Sequence, residues 1–284
     1  MNLLGIIFTL IAVIGSFMFG GGHPLVLVQI SEYMVLIGGF VGILIASSSP
    51  SVRKGSFGVI LGITKPNFFN KKVYLELLVV IYRLSTKVRK DGILSLEAII
   101  DEPQSSPILS DAELFLKQKE AKDILIDALR NIVTGIEIEK LDDMLDENIE
   151  SIEHEIAAPA KLIGKLAEAM PGMGIVAAVM GVILTMGSLG GSIVLIGEHI
   201  AEALVGTFLG LLLCYGVFGP MSTYAEYKNE DLIQYLKSLK TGIIYIAKGD
   251  APIIVMEAVR ENISPSYRPE FDEAEKAVKE KRNG

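Results

Sequence analysis

PGMGIVAAVMGVILTMGS, residues 171–188, is an 18-residue run with no Asp, Glu, Lys or Arg. At about 1.5 Å of rise per residue such a run covers roughly 27 Å, close to the ~30 Å hydrocarbon core of a bilayer. Gly174, Ala177 or Ala178, Gly181, Thr185 and Ser188 recur at three- and four-residue steps and share one helical stripe. Small residues on one face let a second helix approach closely, which drives association where no hydrophobic effect operates between helices. The run therefore predicts a membrane helix packed tightly against another.

Three more uncharged segments flank it: Asn2 to Gly20, Tyr33 to Ser49 and Ala203 to Met221. With Pro171 to Leu189 they make four candidate spans, the second slightly short. Span four offers a matching small-residue face in Ala203, Gly206, Thr207, Gly210 and Cys214. All 26 Lys and Arg residues fall between Arg53 and Lys165 or between Lys228 and Arg282. Basic flanks are retained on the cytoplasmic side, so both stretches are expected inside, and the short connections Gly21 to Glu32 and Gly190 to Glu202 outside. The first segment reads as a retained span rather than a signal peptide, because no basic n-region precedes it.

The expected fold is an all-α integral membrane protein with four transmembrane helices, a large helical cytoplasmic domain and cytoplasmic N- and C-termini. Residues 1–50 hold spans one and two, 51–165 a cytoplasmic helical loop, 166–222 spans three and four, and 223–284 a cytoplasmic helical tail. Composition agrees: 50% of the residues are hydrophobic while 21% are charged. The net charge of -8 argues against a nucleic-acid partner. Cys214 is the only cysteine, which excludes an intrachain disulfide and a cysteine metal cluster.

Within the loop, Leu75, Leu78, Val79, Tyr82 and Thr86 mark an amphipathic helix from Tyr74 to the Asp91-Gly92 break. A second helix is expected from Ser95 to Asp101, and a third from Asp111 to Gly135 with Ser110 as its N-cap. An acidic helical stretch, Ile136 to Glu155, leads through Pro159 into span three. In the tail, helices are expected at Asn229 to Lys248 and Ile253 to Ile263, followed by a charged end from Glu270. Arg53 to Lys90 is basic apart from Glu76; retention of topology and attraction to anionic lipid account for it. The turn Val88 to Glu97 displays Arg89, Lys90 and Glu97 with opposite signs, either to grip a partner or only to solvate a bend.

An ion pathway usually carries an ionisable group inside the membrane, and the four segments have none. Glu32, Glu198, His199 and Glu202 are placed at the outer rim. If the protein moves ions, the essential charge comes from another chain, beside Thr185, Ser188 and Thr207. Pro171 and Pro220 stand near the cytoplasmic ends of their spans, where a proline bends or ends a helix; together they read as a hinge, singly as punctuation. Nucleotide-binding loops, metal-ligand spacing and nucleophile–histidine pairs are not visible in the sequence, so an enzyme is not expected.

PGMGIVAAVMGV (171–182), VGTFLGLLLCYGVFGP (205–220) and RKDGILSLE (89–97) resemble the A subunit of the bacterial flagellar motor stator, the MotA family. The resemblance covers essentially the whole chain. It implies a homopentamer around two B-type subunits, each with one span and an essential aspartate, in the cell inner membrane. Ion passage would turn the ring and push on the rotor switch protein through charged contacts. Carried over, Arg89, Glu97 and the neighbouring Lys90 are rotor-interface residues, Pro171 and Pro220 the prolines of conformational change, and Thr207 a polar position near the aspartate. Sodium-type relatives place a threonine at Ala178, so Ala178 implies protons, while Thr185 and Thr207 leave sodium open. No cofactor is implied beyond that coupling ion. An energiser of outer-membrane transport, with three spans and its N-terminus outside, and a non-conducting membrane scaffold are the alternative readings.

Overall fold

The computed structural model describes residues 2–187 and 193–280. Ser188 and Leu189, the expected outer end of span three, and the start of the following connection lie outside the described residues. The described residues contain thirteen α-helices, and the chain forms two compact units, one of residues 1–66 and 155–228, the other of residues 67–154 and 229–284.

The first unit holds the apolar helices. They are α1 (Asn2–Phe19), α2 (Ile30–Ala46), the end of α9 (Ile138–Gly187), and α10 (Ile193–Leu212) with the start of α11 (Gly219–Ala247). Two of these stretches, in α9 and from His199 onward, are long and apolar enough to cross a membrane; α1 and α2 are shorter apolar helices. The expected outer connection Gly190 to Glu202 is helical from Ile193. Helix α3 (Pro50–Gly62) was not foreseen. Ser49 caps it by accepting from the Val52 N–H, and Pro50 occupies its first turn, where its missing N–H costs nothing. Lys228 of α11 donates to the carbonyls of Gly62 and Lys65 at 3.0 and 2.9 Å and so satisfies the C-terminal end of α3.

Neither interior proline ends α9. Pro159 and Pro171 both lie inside it, and α3 packs on the first through Gly55, where a Cβ would fall 2.5 Å from the proline ring. The Ser56 hydroxyl donates to the Pro159 carbonyl at 3.4 Å and that of Ser222 to the Ala160 carbonyl at 2.9 Å. Pro220 is the second residue of α11, just after a π-helical segment, Leu213–Phe218. There the Gly219 N–H donates to Cys214, five residues back. This wider turn moves the chain away from the carbonyl that a proline ring strikes in an α-helix.

The second unit is built round α4 (Lys71–Asp91), which Asn70 caps by accepting from the Lys72 and Val73 N–H groups. α12 (Pro252–Asn262) and α13 (Phe271–Glu280) pack on it. Because neighbours surround it, Val73, Tyr74, Leu77, Val80, Ile81 and Leu84 are buried besides Leu78 and Val79, and the single expected stripe is too narrow a description. α13 is likewise no mere charged end: Ala274 and Val278 are buried, and Glu273 pairs with Lys71 at 2.9 Å.

The expected helix from Asp111 to Gly135 is broken. Ser106, not Ser110, caps a short α6 (Pro107–Ser110); α7 (Glu113–Leu116) and α8 (Lys119–Val133) follow. Glu76, the lone acid of the basic stretch, explains the break: its carboxylate accepts the Phe115 N–H at 2.7 Å, and Phe115 is fully buried. The chain is pinned to α4 before α8 can begin.

On α11, Lys240 bridges Asp142 at 2.8 Å and Asp146 at 2.6 Å on the acidic part of α9, with only 14% of its side chain exposed. Burial opposes the charge, but hydrogen bonds and attraction from both aspartates outweigh it and raise the lysine above its ordinary 10.5. A raised value means that the stabilisation is fully present below about pH 10.5 and is lost as pH rises through the folded value. Lys240→Met should cost about 1 kcal/mol at pH 7, discounted for the half-exposed carboxylates. Denaturant melts should show that the penalty shrinks above the ordinary lysine range.

Candidate functional site

Helices α9 and α10 run antiparallel and touch through backbone. A Cβ on Gly174 would fall 2.6 Å from the Gly206 carbonyl, one on Gly210 2.5 Å from the Met170 carbonyl, and one on Gly181 2.7 Å from Cβ of Ala203. The two small-residue faces expected from the sequence are thus brought together within one chain. Ala177 is buried in the contact, and Ala178 is half-buried beside it.

The threonine hydroxyls on these faces are occupied. Thr185 is buried and donates to the Gly181 carbonyl at 2.9 Å; Thr207, half-buried, reaches the Gly174 carbonyl at 3.5 Å across the interface. Gly174 and Thr185 are eleven residues apart on α9, about 16 Å at helical rise. Ala178, Thr185 and Thr207 therefore spread along a path and do not converge on a point. Pro171 stands next to the Met170–Gly210 contact, and Pro220 is exposed.

One residue placed at the rim is buried. Glu32, in the first turn of α2, is only 4% exposed, and a methyl group on Gly206 would overlap its Oε2. Its carboxylate thus lies against the α9–α10 contact. The side chain of Glu198 lies outside the described residues. The signal that was available is Glu32's place one residue before an apolar run; its burial depends on a glycine far along the chain.

In the other unit, Arg89 and Lys90 close α4 and Glu97 opens α5 (Glu97–Asp101), all three exposed. Gly92, at φ 80°, ends α4 with its N–H donating to the Val88 carbonyl. A one-turn 3-10 helix, Ile93–Leu96, stands where the second helix was expected to start, and the Ser95 hydroxyl holds it by donating to the Gly92 carbonyl at 2.6 Å. Cations in the last turn also complement the helix dipole, so Arg89 and Lys90 have a structural use of their own.

Residues 3–92 match the family described as Motility protein A N-terminal, and residues 116–238 the MotA/TolQ/ExbB proton channel family. Motility protein A of Salmonella typhimurium is 34% identical over 99% of this chain and 96% of its own length. The chain belongs to the motility protein A family. Motility protein A of Escherichia coli is also 34% identical, and chemotaxis protein LafT of Vibrio parahaemolyticus is 32% identical over 98% of both chains. The fold is that of a chain in the structure of C. jejuni MotAB, with a TM-score of 0.77 at 20% identity over 93% of this chain and 95% of that one. A chain of the flagellar MotAB stator complex from Bacillus subtilis gives 0.73 over 90% and 92%. These relatives are named for motility and chemotaxis, not for an enzymatic reaction.

The glycine contact carries a stability prediction for this motility protein A relative. Gly174→Ala should lower the detergent-solubilised melting stability by about 1–3 kcal/mol, because its new Cβ meets backbone that cannot move aside. Gly58→Ala, on exposed α3 with nothing within 4 Å, should leave it unchanged or slightly higher.

Proposed function

We propose that this chain is the A subunit of a flagellar motor stator in the cell inner membrane. Membership of the motility protein A family over nearly the full length carries the reading. In it, α1, α2, the apolar end of α9 and the run from α10 into α11 are four spans, with both termini and the large loop cytoplasmic; the confinement of Lys and Arg to two stretches supports that topology.

Five copies surround a B-type partner in this reading. That partner supplies the essential aspartate, since the hydroxyls of Thr185 and Thr207 are not proton carriers. Ala178 offers no oxygen for a dehydrated sodium ion, which favours protons. Ion flow turns the ring, and the exposed corner of Arg89, Lys90 and Glu97 pushes on the rotor switch protein. Pro171 and Pro220 mark where the spans change shape during that cycle.

Co-expressed with its B-type partner in a stator-deficient cell, the chain should drive rotation that stops on adding a protonophore and survives sodium removal. In partner-free liposomes it should conduct nothing. Rotation that tracks sodium at constant proton gradient replaces the ion and keeps the motor; steady conduction by the chain alone removes the borrowed aspartate.

The rotor contact has its own test. Opposite charges steer and register an interface, so Arg89→Glu and Glu97→Lys should each reduce torque without changing membrane insertion. A compensating reversal on the rotor protein should recover part of it. Undiminished torque in both variants would exclude this corner as the contact.

A further inference from the structure

Among the described residues of the apolar unit, two buried polar side-chain atoms have no hydrogen-bond partner: Glu32 Oε2 and His199 Nδ1. Both residues line one cavity of about 370 Å³, and Glu202 lines it too. Glu32 reaches it from α2, His199 and Glu202 from one turn of α10. The facing wall, Ala177, Gly181 and Leu184 of α9, is apolar and bears no titratable group.

A carboxylate oxygen taken out of water without a donor is stabilised by acquiring a proton or a cation. Glu32 is 96% withdrawn from solvent by its 4% exposure, whereas Glu202 and His199 are half-buried. The cavity therefore grades from wetter acceptors to a dry one. Its α9 wall carries Ala177 and Gly181 of the small-residue stripe, and Thr185, on the same helix, donates to the Gly181 carbonyl. The dry carboxylate stands against Gly206, next to Thr207.

We infer that the α2–α10 cavity is a proton-collecting site, in which Glu202 and His199 take a proton from outside water and Glu32 Oε2 holds it beside the α9–α10 contact. The assignment rests on the stator reading for its purpose, the supply of protons to the partner's carboxylate, but not for its chemistry. One O–H bond forms on Glu32 as the donor's bond to the same proton breaks, and Glu32 becomes neutral. Release of the proton restores the charge.

Two measurements separate this site from the stator reading. Infrared difference spectra of the purified full chain, titrated in pH, should contain a carboxylic-acid carbonyl band from a buried group. The band should vanish in Glu32→Gln, persist at shifted frequency in Glu32→Asp, and shift its titration in Glu202→Gln. This outcome does not need a working motor. In cells carrying the partner, Glu32→Gln should slow rotation several-fold with normal recruitment to the motor, Glu32→Asp should restore most of the speed, and Glu202→Gln should lose speed chiefly at alkaline external pH.

A wild-type band absent or unchanged by Glu32→Gln would overturn the site, as would a band displaced by sodium at fixed pH, or wild-type rotation of Glu32→Gln at every pH. Loss of recruitment in both Glu32 variants, with the band unchanged in Glu202→Gln, would make Glu32 a packing residue and overturn it too. Failure of the wild-type chain to rotate a motor with its partner would instead count against the stator reading alone.

Discussion

The glycine-lined approach of α9 and α10 is the contact on which the apolar unit depends. In water, two helices are pressed together by what they hide; in lipid, side chains gain little by leaving the hydrocarbon, and dispersion between close backbones has to hold them. Gly174, Gly181, Gly206 and Gly210 bring main chain against main chain or Ala203 at distances that any larger residue would prevent. Thr207 then reaches a carbonyl of the neighbouring helix. The same closeness leaves Glu32 facing Gly206, so a single packing choice fixes both the stability of the pair and the position of a carboxylate.

The second unit solves a different problem. Its largely aliphatic core contains an aromatic cluster: Tyr74 meets Tyr235 at 5.4 Å and Tyr267 at 5.9 Å between ring centres, and Phe69 meets Tyr235 at 5.3 Å. Asp231 takes hydrogen bonds from Asn67 and from the Tyr267 hydroxyl, which ties the chain before α4 to the segment before α13. The corner at Gly92 is anchored by Leu96, which is fully buried, while its charged side chains take no part in the core. There Arg89, Lys90 and Glu97 are exposed, and so are Ile93 at 42% and Leu94 at 68%. A reversal of charge at such a corner leaves the hydrophobic core untouched.

What the sequence disclosed is what depends on neighbours along the chain. Apolar runs, the small-residue stripe of residues 174–185, and the Asp91-Gly92 stop are local patterns, and the helices follow them. What it hid depends on distant partners. Phe115 breaks the helix expected from Asp111 because Glu76 lies across from it, and Glu32 is buried because Gly206 has no side chain. Helix α3 is legible locally: Ser49-Pro50 is a capping signal, and Val52, Ser56, Val59, Ile60 and Ile63 recur at helical spacing. The π segment Leu213–Phe218 was not foreseen either, although Pro220 follows it closely.

Hydroxyls inside the apolar unit show why its uncompensated polarity is so localised. Ser56, Thr185 and Ser222 each give their proton to a backbone carbonyl on their own or a neighbouring helix. A hydroxyl bonded in this way has its donor satisfied and leaves no proton uncompensated in the apolar surroundings. Ser56 and Ser222 also tie neighbouring helices to α9 by donating to the carbonyls of Pro159 and Ala160. Such economy leaves the cavity beside Glu32 as the place among the described apolar helices where a buried polar atom still lacks its partner. A helix bundle that satisfied every group would be a scaffold; an acceptor left open at one end of a close-packed, otherwise neutral helix pair gives a mobile positive charge somewhere to go.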